Sequence, residues 1–217
     1  MPADREEKKY AYLLYYERRG GITWIAHLDL MRTFERAVHR ARLPVVWSQG
    51  FNPRPAIEFA LPVGVGIETR KDPFSLVLSE AIASNEIGTR LNEVLPVGLR
   101  IVEVEDYEQT KKSLMARVEA ATYEFVGDGV QKLLEPLSTG GPLVVEKHSK
   151  KGRRDIDIRP GIRSFELADA TRLIVSVNAG SRDNIRPDLL LTALSSELSE
   201  PFEWQALTVI RRAVVLN

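Results

Sequence analysis

Residues 22–44 read ITWIAHLDLMRTFERAVHRARLP. Leu28, Met31, Phe34, Ala37, Val38 and Ala41 recur there at spacings of three and four, the mark of an amphipathic helix. Pro44 stops it. Upstream, KKYAYLLYY at 8–16 predicts an aromatic-rich strand, and ERRGG a turn. Downstream, residues 57–61 predict a short strand, Asp72 and Pro73 a turn, and FSLVLSE at 74–80 another strand. Helical spacing returns over 85–95, with Ser84 as N-cap and Pro96 and Gly98 as the stop. LRIVEVEDY at 99–107 closes the series as a strand. The helix at 22–44 thus turns a run of strands into the order strand, helix, strand, strand, helix, strand. That is the split β-α-β arrangement of a ferredoxin-like domain.

The order then repeats. EQTKKSLMARV at 108–118 reads as a linker with some helical tendency. TYEFVG is a strand, VQKLLEPL a short helix, and PLVVEKHS pairs with RRDIDIRP across a Lys-Gly turn. SFELAD and TRLIVSVNAG are strands, 187–198 a helix entered near Asn184 or Ser181, and LTVIRRAVVL a last strand. The expected fold class is α+β: two ferredoxin-like halves, each an antiparallel sheet with helices packed on one face, and an extra basic hairpin in the second half. The expected domains are 1–107 and 119–217, joined by the linker 108–118.

At 217 residues and 44% apolar content the chain can bury a core. Thirty basic and thirty acidic side chains cancel, so only the distribution of charge can point to a nucleic acid. There is no cysteine, which excludes disulfides, thiolate zinc sites, a cysteine nucleophile and an iron–sulfur cluster held by the chain's own cysteines. MPADREEKKY is charged and lacks the apolar core of a signal peptide. No stretch approaches the roughly 18 apolar residues of a membrane span. A cytoplasmic protein with no membrane association and no cofactor is expected.

Four constellations could carry chemistry. His27 and Asp29 sit where the first helix begins; Asp29 could cap it or complement its positive end. His27 is either a histidine tying helix to loop, a substrate or RNA contact, or a general acid–base. A metal is not expected, since no second His stands at helical spacing and the chain has only three His. Along the same helix Arg32, Arg36, His39 and Arg40 share a basic face, with Arg42 beyond it; this is a solvated surface or a phosphate-contacting one.

SQGFNPRP at 48–55 is the second constellation. Gly50 permits unusual backbone, and Pro53 and Pro55 fix φ and bias Asn52 and Arg54 toward extended geometry. The result is a stiff loop presenting Ser48, Gln49, Asn52 and Arg54, suited to recognition because it is ordered before binding. Phe51 is expected as an anchor into the core, with a stacking platform as the alternative.

The third is 146–163; from Lys147 to Arg163, Lys147, Lys150, Lys151, Arg153, Arg154, Arg159 and Arg163 make seven cations against Asp155 and Asp157. A basic hairpin tip can track phosphates, or simply protect a sheet edge. The fourth, NAGSRDNIRPDLL at 178–190, is either an anion-holding loop strengthened by Arg182 and Arg186 or an ordinary helix start with Pro187 in its first turn. It is neither a P-loop nor a dinucleotide fingerprint.

The block ITWIAHLDLMRTFERAVHRARLPVVWSQGFNPRPAIEFALPVGVG, with KKGRRDIDIRP and SRDNIRPDLLL as later landmarks, resembles the radical-SAM-linked proteins of unknown function. The resemblance spans about residues 8–215. Those proteins stand alone or form the C-terminal part of radical SAM proteins. The resemblance implies a substrate-presenting or RNA-binding accessory part, with a radical SAM protein as partner and tRNA or rRNA as ligand. Since this chain has no Cys, the cluster chemistry would come from that partner. A fainter similarity is to the CRISPR RNA endonucleases built from two ferredoxin-like halves, some of which use a His placed like His27; their C-terminal Gly-rich loop is missing here. Three functions are therefore open: an RNA-binding accessory module, a metal-independent endoribonuclease, and a protein–protein interaction module without nucleic acid.

Overall fold

A computed structural model describes residues 8–149, 152–181 and 183–217. Contacts divide the chain into two compact units, Met1–Arg117 and Val118–Asn217. The protein is α+β, built on antiparallel strand pairs.

The first unit runs β1 (Tyr10–Arg18), α1 (His27–Arg40), β2 (Ile57–Phe59), β3 (Glu68–Leu78), α2 (Ser84–Val94) and β4 (Leu99–Asp106). Its strands lie in the order β4–β1–β3–β2, each neighbouring pair antiparallel. Side chains alternate across a strand, so Tyr12, Leu14 and Tyr16 of β1 join Phe74, Leu76 and Leu78 of β3 on one face. Leu30, Phe34, Ala37 and Val38 of α1 and Ile87 and Leu91 of α2 complete the same core.

Three expectations change here. The buried stripe of α1 begins at Leu30, and Leu28 is 65% exposed. Leu30, Phe34, Ala37 and Ala41 lie within one helical face, whereas Leu28 points away from it. Asp72 and Pro73 do not turn the chain; β3 runs through both. Ala60 donates its amide to the Pro73 carbonyl (3.1 Å), so the polar groups of Pro73 face the β2 side. Its missing donor therefore leaves the β1–β3 ladder unbroken. The N-cap of α2 is Ala83, with no side-chain cap, rather than Ser84.

Residues 108–117 belong to the first unit by contact. Leu114 is buried, and its amide donates to the Glu58 carboxylate (2.8 Å).

The second unit runs β5 (Val118–Val126), α3 (Leu134–Ser138), β6 (Val144–Ser149), β7 (Gly152–Asp157), β8 (Ile162–Asp169), β9 (Arg172–Asn178), α4 (Pro187–Ser196) and β10 (Thr208–Leu216). Its main strands lie in the order β10–β5–β9–β8, all antiparallel. β6 and β7 pair as a separate hairpin. With that hairpin set aside, the second unit repeats the β-α-β-β-α-β sequence and spatial order of the first.

The β8–β9 turn is held by Asp169. Its carboxylate accepts from the Thr171 amide (2.9 Å), the Arg172 Nε (2.6 Å) and the Thr171 hydroxyl (2.9 Å). These bonds, the Thr171 amide foremost, lower its pKa from 3.8 to about 2. The folded form therefore favours ionised Asp169. Its stabilising contribution is complete above about pH 4 and is lost as pH falls through about 2. In a carboxyl NMR titration Asp169 should have its midpoint near pH 2. A midpoint at the ordinary aspartate value would mean that the turn does not hold the carboxylate in solution.

Candidate nucleic-acid interface

The chain between α1 and β2 makes a small closed loop. Val46 donates to the Val77 carbonyl (2.9 Å), and Ala56 donates to that of Val46 (2.7 Å). Trp47 and Pro55 form an antiparallel bridge above them. Ser48 then closes the ring twice: its amide donates to the Arg54 carbonyl (2.8 Å), and its hydroxyl accepts from the Arg54 amide (3.0 Å). Ser48 is thus partly a structural clasp. Gly50 takes φ 137°, a backbone conformation that a side chain would strain. Gln49, Asn52 and Arg54 project into solvent from this frame.

Phe51 does not anchor into the core. Its ring stands at the loop tip, 105% exposed, with Trp47 48% exposed on the stem.

His27 opens α1, whose N-cap is Ala26 without a side-chain bond. Its ring meets the buried Phe59 edge-on at 5.6 Å. Asp29 is not the cap; it lies in the first turn and pairs with Arg32 (3.2 Å). Along the expected basic face, Arg36 donates to the Arg32 carbonyl (3.2 Å) and Arg40 to the Val94 carbonyl (2.6 Å) at the end of α2. Arg40 therefore serves as a C-terminal cap. All four positions of that face, Arg32, Arg36, His39 and Arg40, remain exposed.

On the hairpin, Lys147 stands opposite Arg154 in the ladder. Arg153 pairs with Glu146 (3.3 Å). Lys150 and Lys151 lie outside the described residues, as does Arg182 on the α4 approach. Arg159 is committed to structure: it donates to the carbonyls of Gly141 (2.7 Å), Leu137 (2.8 Å) and Pro136, closing the end of α3. Arg163 holds the Asn178 side chain (2.8 Å) and the Glu119 carbonyl (2.9 Å).

The cap of α4 is Arg186, and Pro187 follows as N1. Arg186 pairs with Asp188 (3.1 Å) in the first turn. A carboxylate thus already occupies the positive end of α4.

Periodicity in β4 holds a signal that the reading of the sequence missed. Glu103 and Glu105 alternate with valines and so share one face. Lys71 meets Glu103 at 2.5 Å and lies 4.5 Å from the centre of the Tyr15 ring. The hydrogen bond from Lys71 lowers the Glu103 pKa, and the Glu103 hydrogen bond raises that of Glu105. Burial, then the charge of Glu105, raises Tyr15. Trp24 carries no signal in the sequence either; it is 72% exposed, and its ring would sit 3.5 Å from a Cβ at Gly66. Among the described residues no group of three His, Asp or Glu could hold a metal, and no helix is long and apolar enough to cross a membrane.

The family described as an uncharacterized protein conserved in bacteria, DUF2344, matches residues 11–187, and the chain belongs to it. No curated protein matches the chain. A crystal structure of an unknown protein from Galdieria sulphuraria is similar at 10% identity, covering 97% of this chain and 99% of that one, with a TM-score of 0.28.

Proposed function

We propose that the protein is an RNA-binding accessory module, for tRNA or rRNA, that works with a radical SAM enzyme in the cytoplasm. One observation carries the RNA reading. The loop 48–54 is closed at its base, contains no carboxylate, and turns Gln49, Asn52 and Arg54 outward. A stiff frame of amides and a guanidinium suits RNA, because phosphates take charged donors while base edges take paired donors and acceptors. Arg32, Arg36, Arg153 and Arg154 add exposed cations on other elements. The radical SAM partnership is supported by the resemblance of residues 22–66 to proteins linked to such enzymes.

The test is retention of total small RNA by the purified protein across a salt series, with the recovered RNA checked for cleavage. About three phosphate contacts give a log–log slope of about −2 to −3, so a fourfold rise in salt should weaken binding by more than about tenfold. Affinity that ignores salt, or no retention at low salt, removes this reading in favour of a protein partner. Cleaved RNA would make the protein a nuclease, and His27→Ala should then abolish cleavage while sparing binding.

A further inference from the structure

We propose that Phe51 is a stacking platform for an unpaired RNA base, so that the loop takes single-stranded rather than duplex RNA. The inference rests on the RNA reading of the same loop and names the kind of RNA it takes.

Three features of the loop support it. Phe51 is fully exposed although both sides of its loop are pinned. The Ser48–Arg54 clasp and the Trp47–Pro55 bridge hold the stem, and Gly50 at φ 137° sets the tip beside it. The backbone that carries the ring is thus held in place at its stem before any ligand arrives, which lowers the ordering cost of binding. Its surroundings fit a nucleotide: Arg54 for a phosphate, and Gln49 and Asn52, each with donor and acceptor, for a base edge. No acidic side chain occurs from Ser48 to Pro55 to repel the backbone.

A base inside a duplex has both faces covered by its neighbours, and the grooves of A-form RNA present only base edges, 2′-hydroxyls and phosphates. Only an unstacked base can lie flat on Phe51. Stacking of this kind tolerates any base, so the loop selects for strandedness more than for sequence.

The experiment measures the affinity of the full chain for a fluorescent single-stranded RNA 12-mer, as about one site's length, and for the same strand annealed to its complement. Phe51→Ala should weaken single-strand binding roughly 5- to 100-fold and change duplex binding less than about twofold. Phe51→Trp should keep single-strand affinity, and Phe51→Leu should behave like Ala because it has no π-face. All three change an exposed position, so an unchanged melting curve confirms that each is folded. Equal single-strand affinity for wild type and Phe51→Ala overturns the platform while leaving the RNA reading in place. So does full rescue by Phe51→Leu, which would mean plain apolar contact. Failure of the wild type to bind either RNA at low salt overturns both.

Discussion

Phe34→Ala is expected to destabilise the first unit by about 3–5 kcal/mol, the upper range for truncating one core side chain. Phe34 is fully buried on α1, and its ring lies 5.1 Å from Tyr16, 5.5 Å from Phe59 and 4.9 Å from Phe74. One truncation therefore removes a shared partner from β1, β2 and β3 together. Neighbouring rings cannot collapse into the space, because Phe59 and Phe74 already stack on each other and Tyr16 is held by its hydroxyl to Asp72 (3.3 Å). The cavity would also loosen Phe59, against which His27 rests. Denaturant unfolding measures the effect. A loss below about 1 kcal/mol, in the range of a conservative core swap, would show that this cluster does not centre the core.

Arg18→Met should cost roughly 2–4 kcal/mol by a different route. Arg18 is fully buried at the end of β1. Its guanidinium donates to the carbonyls of Thr23 (3.0 Å), Gly64 (2.6 Å) and Ile67 (2.9 Å), drawing the turn before α1 and the chain before β3 onto one side chain. Gly66 donates to Thr23 alongside (2.7 Å). Met fills much of the volume but supplies no donor, so the Gly64 and Ile67 carbonyls lose the guanidinium and Thr23 keeps only the Gly66 amide. The signature is local as well as global. Amide exchange at Gly66 should accelerate in the variant far more than at Leu76 in the middle of β3. Arg18→Lys should rescue only in part, since an ammonium is a point donor and cannot span the three carbonyls as a planar fork does. Uniform acceleration across the unit would mean that Arg18 contributes bulk and not a clasp.

The order of elements is legible in the sequence because it depends on period. Aromatic enrichment in KKYAYLLYY points to a strand, and three–four spacing in MRTFERAV to an amphipathic helix. Counting threes and fours does not resolve where a stripe begins: it admits Leu28 through Met31, although the full helical turn sets Leu28 away from Leu30, Phe34 and Ala37. Nor does it resolve a proline whose missing donor faces the harmless side of a strand, as at Pro73.

At the candidate site, the shape of SQGFNPRP is readable from Gly50, which permits unusual backbone, and from the prolines, which restrict it. The exposure of Phe51 is not, because whether a loop-borne ring turns inward or outward is set by the tertiary structure. The arginines divide for a similar reason. Charge is visible in a sequence, but whether a guanidinium meets water or a backbone carbonyl depends on long-range geometry. Arg40 and Arg159 end on carbonyls from segments far from them in the chain.

In the first unit β1 is a central strand: Tyr12 faces Leu76 on one side and Asp106 on the other. The first strand of this unit to be synthesised thus waits for its two neighbours, and the second of them arrives with β4. At about 5–20 residues per second, the aromatic strand spends roughly 5–20 seconds of translation without its full sheet. Folding is then governed by distant pairing more than by local helix formation. KKYAYLLYY would be the natural stretch for a chaperone to hold during that interval, and the lysines that precede it act as a gatekeeper against pairing with another nascent chain.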